Sequence, residues 1–238
     1  MGRYPEAIHN LTNSGNIQCV SRTKMRKLQA KKRIEELRRV INHHRYLYHV
    51  LDRQEISEAA LDSLKHELKM LEDEFPALIT PDSPTQRLGG KPLEKFEKVR
   101  HRVKQWSLED AFSKKEIREW EGRAKRLLGF DDDINYVGEL KIDGLHTVLT
   151  YEKGLFVSGA TRGDGEIGED VTQNLKTIEA IPLRLKKDVD CVVEGEVFMR
   201  KSVLAMLNAK LQKEGKPLLA NPRNAAAGAI RQLNPSVA

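Results

Sequence analysis

The sequence predicts an α+β protein in which a helical hairpin comes first and an antiparallel sheet follows. Apolar side chains recur every three or four residues up to Phe75, where Pro76 ends the pattern. From Asn135 to Arg162, apolar and polar residues alternate as they do in strands. Within this stretch, the segment Tyr151-Glu-Lys-Gly-Leu is typical of a hairpin turn.

Composition excludes several classes of protein. The 238 residues suffice for one large domain or for a small and a medium-sized one, and 32% charged residues are ordinary for a globular protein. No apolar run is long enough to span a membrane, and the first twenty residues lack the features of a signal peptide. Cys19 and Cys191 form no spaced pair, so they suggest neither a disulfide framework nor a zinc site. We expect a monomeric cytoplasmic protein with no membrane partner. Its net charge of +6 is compatible with nucleic-acid binding.

The first helix is predicted over residues 28–51. Upstream, Asn and Gly residues between 10 and 16 break the periodicity, so we expect residues 1–24 to be a disordered extension. The start of the helix is crowded with basic residues, which form either a solvated face or a contact with DNA phosphates. These residues are Arg26, Lys27, Lys31, Lys32, Arg33, Arg38 and Arg39.

The second helix is predicted from its N-cap, Ser57, to Phe75. The two apolar stripes should pack together as an antiparallel hairpin domain over residues 25–80. The short connection between them brings Tyr48 and His49 near Glu58 and Asp62. A linker rich in Pro and Gly, residues 76–92, then leads to a second domain over residues 91–238.

Several elements are predicted in the second domain. Helices are expected over residues 114–128 and 202–214, and the apolar stripe of the first of these should pack into the core. A strand over residues 192–199 places Glu194 and Glu196 on one face. The loop containing Gly163, Gly165 and Gly168 lacks the spacing of a dinucleotide-binding fingerprint.

Lys141 is the candidate nucleophile. It lies between two runs of strand formers, at a position where partial burial is expected, and Asp143 would share its face in a strand. Gly144 allows a turn or the close approach of a ligand. A desolvated lysine beside a cation can act as an attacking amine. The motif alone is short, so a surface lysine paired with Asp143 remains an equal alternative.

The segment Glu139-Leu-Lys-Ile-Asp-Gly-Leu145 resembles the nucleotidyl-transfer signature of DNA ligases and capping enzymes. Five blocks, in order, narrow the resemblance to bacterial NAD-dependent DNA ligases and together cover roughly residues 26–238. They are His43 to Val50, Thr80 to Arg87, Glu139 to Leu145, Thr161 to Thr172 and Asn221 to Gly228.

The resemblance implies an N-terminal module that grips the nicotinamide mononucleotide half of NAD, followed by an adenylation (nucleotidyltransferase) domain. Lys141 would carry AMP, and Arg223 and Arg231 would face DNA or AMP. Glu139 would read the adenine, Arg162 would bind phosphate, and Asp143 and Glu196 would contact the ribose or a metal ion. The implied NAD-binding residues are Tyr48, His49, Glu58, Asp62, Ser107, Leu108, Glu139, Asp143, Gly144, Arg162 and Glu196.

The resemblance also implies NAD and nicked double-stranded DNA as partners, with Mg²⁺ or Mn²⁺ as cofactor. No metal ligand is assigned within this chain, and the family's zinc site lies beyond it. The family's adenylation domain continues past the last block, so we expect this chain alone not to seal nicks. This sequence departs from the family at Glu58 and Leu61, where Asp and Tyr are usual, and leucine offers no aromatic face to a pyridinium ring.

Two other functions remain open from the sequence. The lysine motif also occurs in ATP-dependent ligases and capping-type nucleotidyltransferases, although these lack an N-terminal hairpin. A non-catalytic remnant that binds DNA through its basic helix would show steeply salt-dependent binding without adenylation.

Overall fold

The computed structural model describes residues 15–87, 93–108, 110–129 and 131–237, with the side chains of residues 15–25 left out. The fold is α+β, as predicted, and its sheets are antiparallel. The helices are α1 (Gly15–His49), α2 (Glu58–Glu74), α3 (Lys114–Leu128), α4 (Thr172–Thr177), α5 (Lys201–Lys213) and α6 (Pro222–Ile230). The strands are β1 (Lys98–Arg100), β2 (Leu145–Glu152), β3 (Leu155–Thr161), β4 (Ile167–Glu169) and β5 (Cys191–Val197).

The chain divides into two compact units. The first contains the described residues up to 87 together with Lys176–Arg184, and the second contains the remainder. In the first unit, α1 and α2 pack through a core of leucine and isoleucine side chains, as the two apolar stripes predict. The buried members of this core are Ile34, Leu37, Ile41 and Leu68.

The ends of α2 follow the sequence signals. The Ser57 hydroxyl accepts a hydrogen bond from the backbone N–H of Ala60 over 3.2 Å, which caps the first turn. At the other end, Pro76 cannot continue the helix, and a short 3₁₀ turn, Pro76–Leu78, follows. The predicted cap and stop are therefore both confirmed.

The start of α1 differs from the prediction. Residues 15–24, expected to belong to a disordered extension, are helical, while residues 1–14 lie outside the described part of the chain. Gly15 and Asn16 are weak helix formers, but such propensities amount to only about 1 kcal/mol per residue. Once a helix is nucleated, each added residue gains a backbone hydrogen bond, so weak formers can be incorporated.

A buried carboxylate fixes the end of α2 to the segment that follows it. The Glu72 carboxylate, 2% exposed, accepts hydrogen bonds from the Arg38 guanidinium and from the hydroxyls of Ser83 and Thr85. The distances are 3.1 Å from Arg38 Nε and 2.7 Å from Ser83 Oγ. This charge is satisfied from several sides, which is the condition under which burial of a carboxylate is tolerated.

Two buried arginines bind the segment Lys176–Arg184 within the first unit. The Arg87 guanidinium donates to the carbonyls of Lys176, Ile178 and Ile181 over 2.7–3.0 Å. Arg45, 3% exposed, forms an ion pair with the Glu179 carboxylate. Burial, together with the positive charge of Arg87, lowers the pKa of Arg45 to about 9. Arg45 therefore remains charged at neutral pH.

The second unit contains two antiparallel sheets, one of order β3-β2-β5 and one formed by β1 and β4. The predicted hairpin turn between β2 and β3 is confirmed. Lys153 and Gly154 have φ of 48° and 74°, the left-handed pair that a tight hairpin requires. The buried apolar side chains of this unit are Val148, Tyr151, Phe156, Ala160, Val171, Leu175, Ala225, Ala226 and Ile230.

The stretch before β2 corrects the strand prediction. Residues 135–144 form no strand, and the ladder begins where Leu145 pairs with Val197. Since β5 ends at Val197, the residues that precede Leu145 have no neighbouring strand to complete their backbone hydrogen bonds. The expected common strand face of Lys141 and Asp143 is therefore absent.

The helices α3 and α5 match their predicted ranges closely, whereas α4 and α6 were not predicted, and α3 does not contribute to a core. Its expected packing stripe is wrong, because Ile117, Trp120 and Leu127 are 52%, 45% and 87% exposed. Within the described ranges, no helix has both the length and the apolar character needed to cross a membrane. Cys191 is a free thiol among the described residues.

Candidate functional site

A cavity of about 180 Å³ lies where the end of α1, the loop after it and the start of α2 meet. The chain reverses in this loop because Asp52 adopts a left-handed φ of 52° and the Arg53 N–H donates to the Leu47 carbonyl over 2.9 Å. Four side chains predicted as binding residues line this cavity together, namely Tyr48, His49, Glu58 and Asp62. Its volume is below the roughly 300–1,000 Å³ typical of small-molecule pockets, so it suits a fragment of a larger ligand.

The walls of the cavity combine aromatic faces with carboxylates. The Tyr48 and His49 rings lie edge to face, 4.8 Å apart, and the Tyr48 hydroxyl donates to Glu58 over 3.5 Å. Asp62 lies 3.6 Å from the Lys65 ammonium. Such a lining favours a planar cation, since π faces and carboxylates both attract positive charge.

Sequence reasoning missed several lining residues. The side chains of His44, Gln54, Glu55 and Lys65 also line the cavity. Lys65 follows Asp62 by one helical turn, so the sequence spacing already places the two side chains on the same face of α2. Burial, with the positive charges of Arg45, Lys65 and Arg87, lowers the pKa of His49 below its ordinary value of 6.5. His49 is therefore neutral at pH 7, which suits a cationic ligand.

In the second unit, Lys141 lies in the irregular segment before β2. Its side chain is exposed, contrary to the expected partial burial, and no hydrogen bond or ion pair with the described residues holds its ammonium. Asp143, two residues later, accepts a hydrogen bond from Arg223 Nη1 over 2.8 Å. Gly144 is packed so closely that an added Cβ would lie 2.4 Å from the Val197 carbonyl oxygen.

His146 connects the two carboxylates that the strand pattern placed on one face. Its Nδ1 lies 3.5 Å from Glu196 and its Nε2 lies 3.6 Å from Glu194. The register pairs His146 directly with Glu196, which confirms that Glu194 and Glu196 share a face. The imidazole therefore lies between the two carboxylates, with one ring nitrogen facing each. No sequence signal pointed to His146.

Arg162 and Ser107 also come together. Arg162 Nη2 donates to Ser107 Oγ over 2.9 Å, while the Arg162 Nε–H is enclosed without a hydrogen-bond partner among the described residues. Leu108 is 80% exposed, and Glu139 is exposed in the same irregular segment as Lys141. In the adjoining loop, an added Cβ on Gly163 would lie 1.8 Å from a backbone oxygen, so this glycine serves a tight turn.

The two arginines expected to contact nucleic acid both hold carboxylates. Arg223 pairs with Asp143, and Arg231 donates to Glu169 through both Nε and Nη2, over 2.8 and 3.1 Å. On the basic helix, Arg33 pairs with Glu67 and Arg38 with Glu72. Part of this basic face therefore serves the hairpin itself.

Comparison with known proteins matches two consecutive parts of the chain to described families. Residues 93–238 match the NAD-dependent DNA ligase adenylation domain, and residues 27–89 match the DNA ligase-like, N-terminal NAD+-binding domain. The boundary between the two matches falls close to the linker predicted from Pro and Gly content.

Curated relatives are DNA ligases of bacteria. The DNA ligase of Thermoanaerobacter sp. (strain X514) is 55% identical over 210 residues, which are 88% of this chain and 31% of the relative. That of Caldicellulosiruptor saccharolyticus is 56% identical over 207 residues, 87% of this chain and 31% of the relative. The chain thus spans about a third of the length of the curated relatives it matches.

Proposed function

Because the chain belongs to the NAD-dependent DNA ligase family, we propose that it takes AMP from NAD onto Lys141, the first step of nick sealing. In the whole ligase, AMP would then pass to the 5′-phosphate of nicked DNA, and the 3′-hydroxyl would displace AMP and close the phosphodiester bond. The N-terminal unit binds the nicotinamide mononucleotide half of NAD, and the second unit binds the adenylyl half.

The observation that carries this proposal is the convergence of Tyr48, His49, Glu58 and Asp62 on one cavity. The nicotinamide of NAD is a pyridinium cation, and this cavity offers aromatic edges, carboxylates and a neutral imidazole. The Leu61 side chain also lines the cavity, at the position from which an aromatic residue would stack on the ring. Leucine there supports binding by contact area only.

The proposed first step is an attack by the Lys141 amine on the α-phosphorus of NAD. Lys141 faces solvent, and no carboxylate among the described residues pairs with its ammonium. The amine must be deprotonated to attack. A phosphorus–nitrogen bond forms, and the phosphorus–oxygen bond to nicotinamide mononucleotide breaks, which releases that group with its phosphate. The product is a lysyl adenylate, a covalent intermediate that divides one difficult transfer into two.

The groups around Lys141 have separate proposed roles. Arg162, anchored by Ser107, binds phosphate with its enclosed Nε–H, which has no hydrogen-bond partner within the described ranges, and a guanidinium is suited to phosphate geometry. Glu139 reads the adenine, and Leu108 packs against the adenosine through its exposed side chain. Asp143 and Glu196 bind the ribose or a metal ion beside Gly144, where the backbone approach is close.

The carboxylates near His146 are of the type that Mg²⁺ prefers. Glu194 and Glu196 present oxygen donors on one open strand face, and Mg²⁺ usually takes one or two protein carboxylates together with substrate phosphates. Bound Mg²⁺ would neutralise charge on the phosphates. The protein residues orient the substrate and hold these carboxylates in place.

Contact with DNA is assigned to Arg223 and Arg231. Both side chains are more than half exposed, but each is paired with a carboxylate. Binding of a DNA phosphate would therefore exchange one anion for another at each arginine. This exchange makes the contribution of each residue to affinity smaller than that of an unpaired arginine.

The test is intact-mass spectrometry of the 238-residue chain after incubation with Mg²⁺ and either NAD or ATP. We expect a mass increase of one AMP with NAD, loss of the adduct in Lys141→Ala, and its retention in the control Lys201→Ala. An adduct formed from ATP alone would favour the capping-type reaction. An adduct that persists in Lys141→Ala would overturn the assignment of the nucleophile.

A further inference from the structure

A second cluster of chemically capable side chains lies at the edge of the cavity of the first unit, and two of its members, His44 and Glu55, also line that cavity. His43, His44 and Glu55 each direct one donor atom so that the three atoms lie within 4.8 Å of one another. His43 and His44 come from α1, and Glu55 comes from the loop that follows it. None of the roles assigned above uses His43 or Glu55. We propose that these three residues form a binding site for a divalent transition metal of the Zn²⁺ type.

The backbone places Glu55 beside the histidines. Asp52, with a φ of 52°, reverses the chain, and the bond from the Arg53 N–H to the Leu47 carbonyl fixes the reversal. Glu55 Oε2 then lies 3.8 Å from His43 Nε2. This separation is too long for a hydrogen bond. It is close to the spacing of about 3.4 Å expected between two ligands of one tetrahedral zinc ion.

The two adjacent histidines also converge, although consecutive residues on a helix normally point apart. Their ring centroids lie 5.3 Å apart with an interplanar angle of 67°. Enclosed from solvent, the His44 Nδ1 has no hydrogen-bond partner among the residues that the structure describes. A buried imidazole nitrogen without a partner is uncommon, because leaving it unpaired costs free energy. Metal binding would fix the tautomer of this ring or engage it directly.

The second carboxylate oxygen of Glu55 is already held. Arg53 lies 2.7 Å from Glu55 Oε1, which leaves Oε2 directed toward His43. Support of a ligating carboxylate through its other oxygen is the arrangement that commonly orients metal ligands. Arg53 therefore acts as the positioning residue for the third donor.

Charge and donor type select the ion. Imidazole nitrogens suit Zn²⁺, Co²⁺, Ni²⁺ and Cu²⁺, whereas Mg²⁺ and Ca²⁺ prefer oxygen ligands. The adjoining cavity is lined by three carboxylates, on Glu55, Glu58 and Asp62, against the single ammonium of Lys65. This lining attracts a dication. Three protein donors leave one tetrahedral position for water or for a ligand.

The experiment is isothermal titration of the metal-free 238-residue chain with ZnCl₂ and, separately, with MgCl₂. Saturable binding of one Zn²⁺ is expected, with no comparable heat from Mg²⁺. Glu55→Gln and His43→Gln should each weaken binding at least tenfold. The matched controls His66→Gln, at an exposed histidine on α2, and Cys191→Ser should leave the binding unchanged.

Tetrahedral coordination gives a second readout. The same titration with CoCl₂ should produce an intense visible absorption band that is lost in Glu55→Gln, while circular dichroism shows that this variant remains helical. Zn²⁺ binding that is equal in the parent protein, in His43→Gln and in Glu55→Gln would overturn the proposal. So would a titration in which the parent protein shows no saturable site. Neither outcome depends on adenylation.

Discussion

Arg223 Nη1 donates to Asp143 Oδ1 over 2.8 Å, so the first turn of α6 is joined to the segment that contains Lys141. The two residues are 80 positions apart in sequence. Asn221 caps α6 by accepting from the Asn224 N–H over 2.8 Å, and Pro222 occupies the first turn. The cap and the proline together fix the backbone from which the Arg223 side chain extends. The pair therefore orients Asp143 in a segment that has no strand to hold it.

Loss of this pair should affect catalysis more than stability. In Arg223→Ala, the free energy of unfolding should change by less than about 1 kcal/mol because both side chains are largely exposed. Self-adenylation should slow by about tenfold, since Asp143 loses its orientation beside Lys141. The matched control is Arg231→Ala, which releases Glu169 instead. Equal adenylation rates for the two variants and the parent protein would contradict the positioning role of Arg223.

Two ion pairs between α1 and α2 predict losses of stability of different size from the same kind of substitution. Arg38 and Glu72 are 15% and 2% exposed, whereas Arg33 and Glu67 are 42% and 41% exposed. Glu72→Ala leaves a guanidinium, a serine and a threonine without their common acceptor, and should cost about 3–5 kcal/mol. Glu67→Ala should cost less than about 1 kcal/mol. Urea denaturation of both variants measures the two losses of unfolding free energy. Similar midpoints would show that burial of the ion pair does not determine the size of the loss.

Stability should depend on pH through His49. Its pKa is lowered in the folded chain, so at pH below about 6.5 the unfolded chain takes up a proton that the folded state resists. The free energy of unfolding contributed by His49 therefore falls as the pH is lowered through this range and is insensitive to pH above it. Urea midpoints at about pH 7.5 and about pH 5.5 should differ less in His49→Gln than in the parent protein. An equal difference in both would mean that other groups govern the acid response.

Leu61→Tyr should strengthen the binding of nicotinamide mononucleotide. A tyrosine there would place an aromatic face against the pyridinium ring, a contact worth about 0.5–2 kcal/mol, or up to roughly thirtyfold in affinity. Leu61 also packs against the core of α1 and α2, so Leu61→Met serves as a control that keeps the packing without the ring. Isothermal titration with nicotinamide mononucleotide measures both. An unchanged affinity in Leu61→Tyr would mean that the ring binds elsewhere.

The candidate site was predictable to different degrees in the two units. Tyr48, His49, Glu58 and Asp62 were expected together because a short connection between two helices leaves few arrangements for their ends. Around Lys141, strand alternation predicted burial, and the structure has an exposed irregular segment instead. Pairing with a neighbouring strand determines whether such residues form a strand, and no local pattern contains that information.

The sequence by itself determined two features. One is α2, which begins after the Ser57 cap and ends before Pro76, and the other is the hairpin turn at Lys153 and Gly154. These features depend on residues within one or two turns of each other, so the chain encodes them directly. Tertiary structure alone decided that Lys176–Arg184 belongs to the first unit, held by Arg45 and Arg87 from 89 to 134 positions away. A guanidinium that binds backbone carbonyls recognises no particular side chain. The fold, rather than any sequence pattern, determines which carbonyls lie within hydrogen-bond distance of the guanidinium.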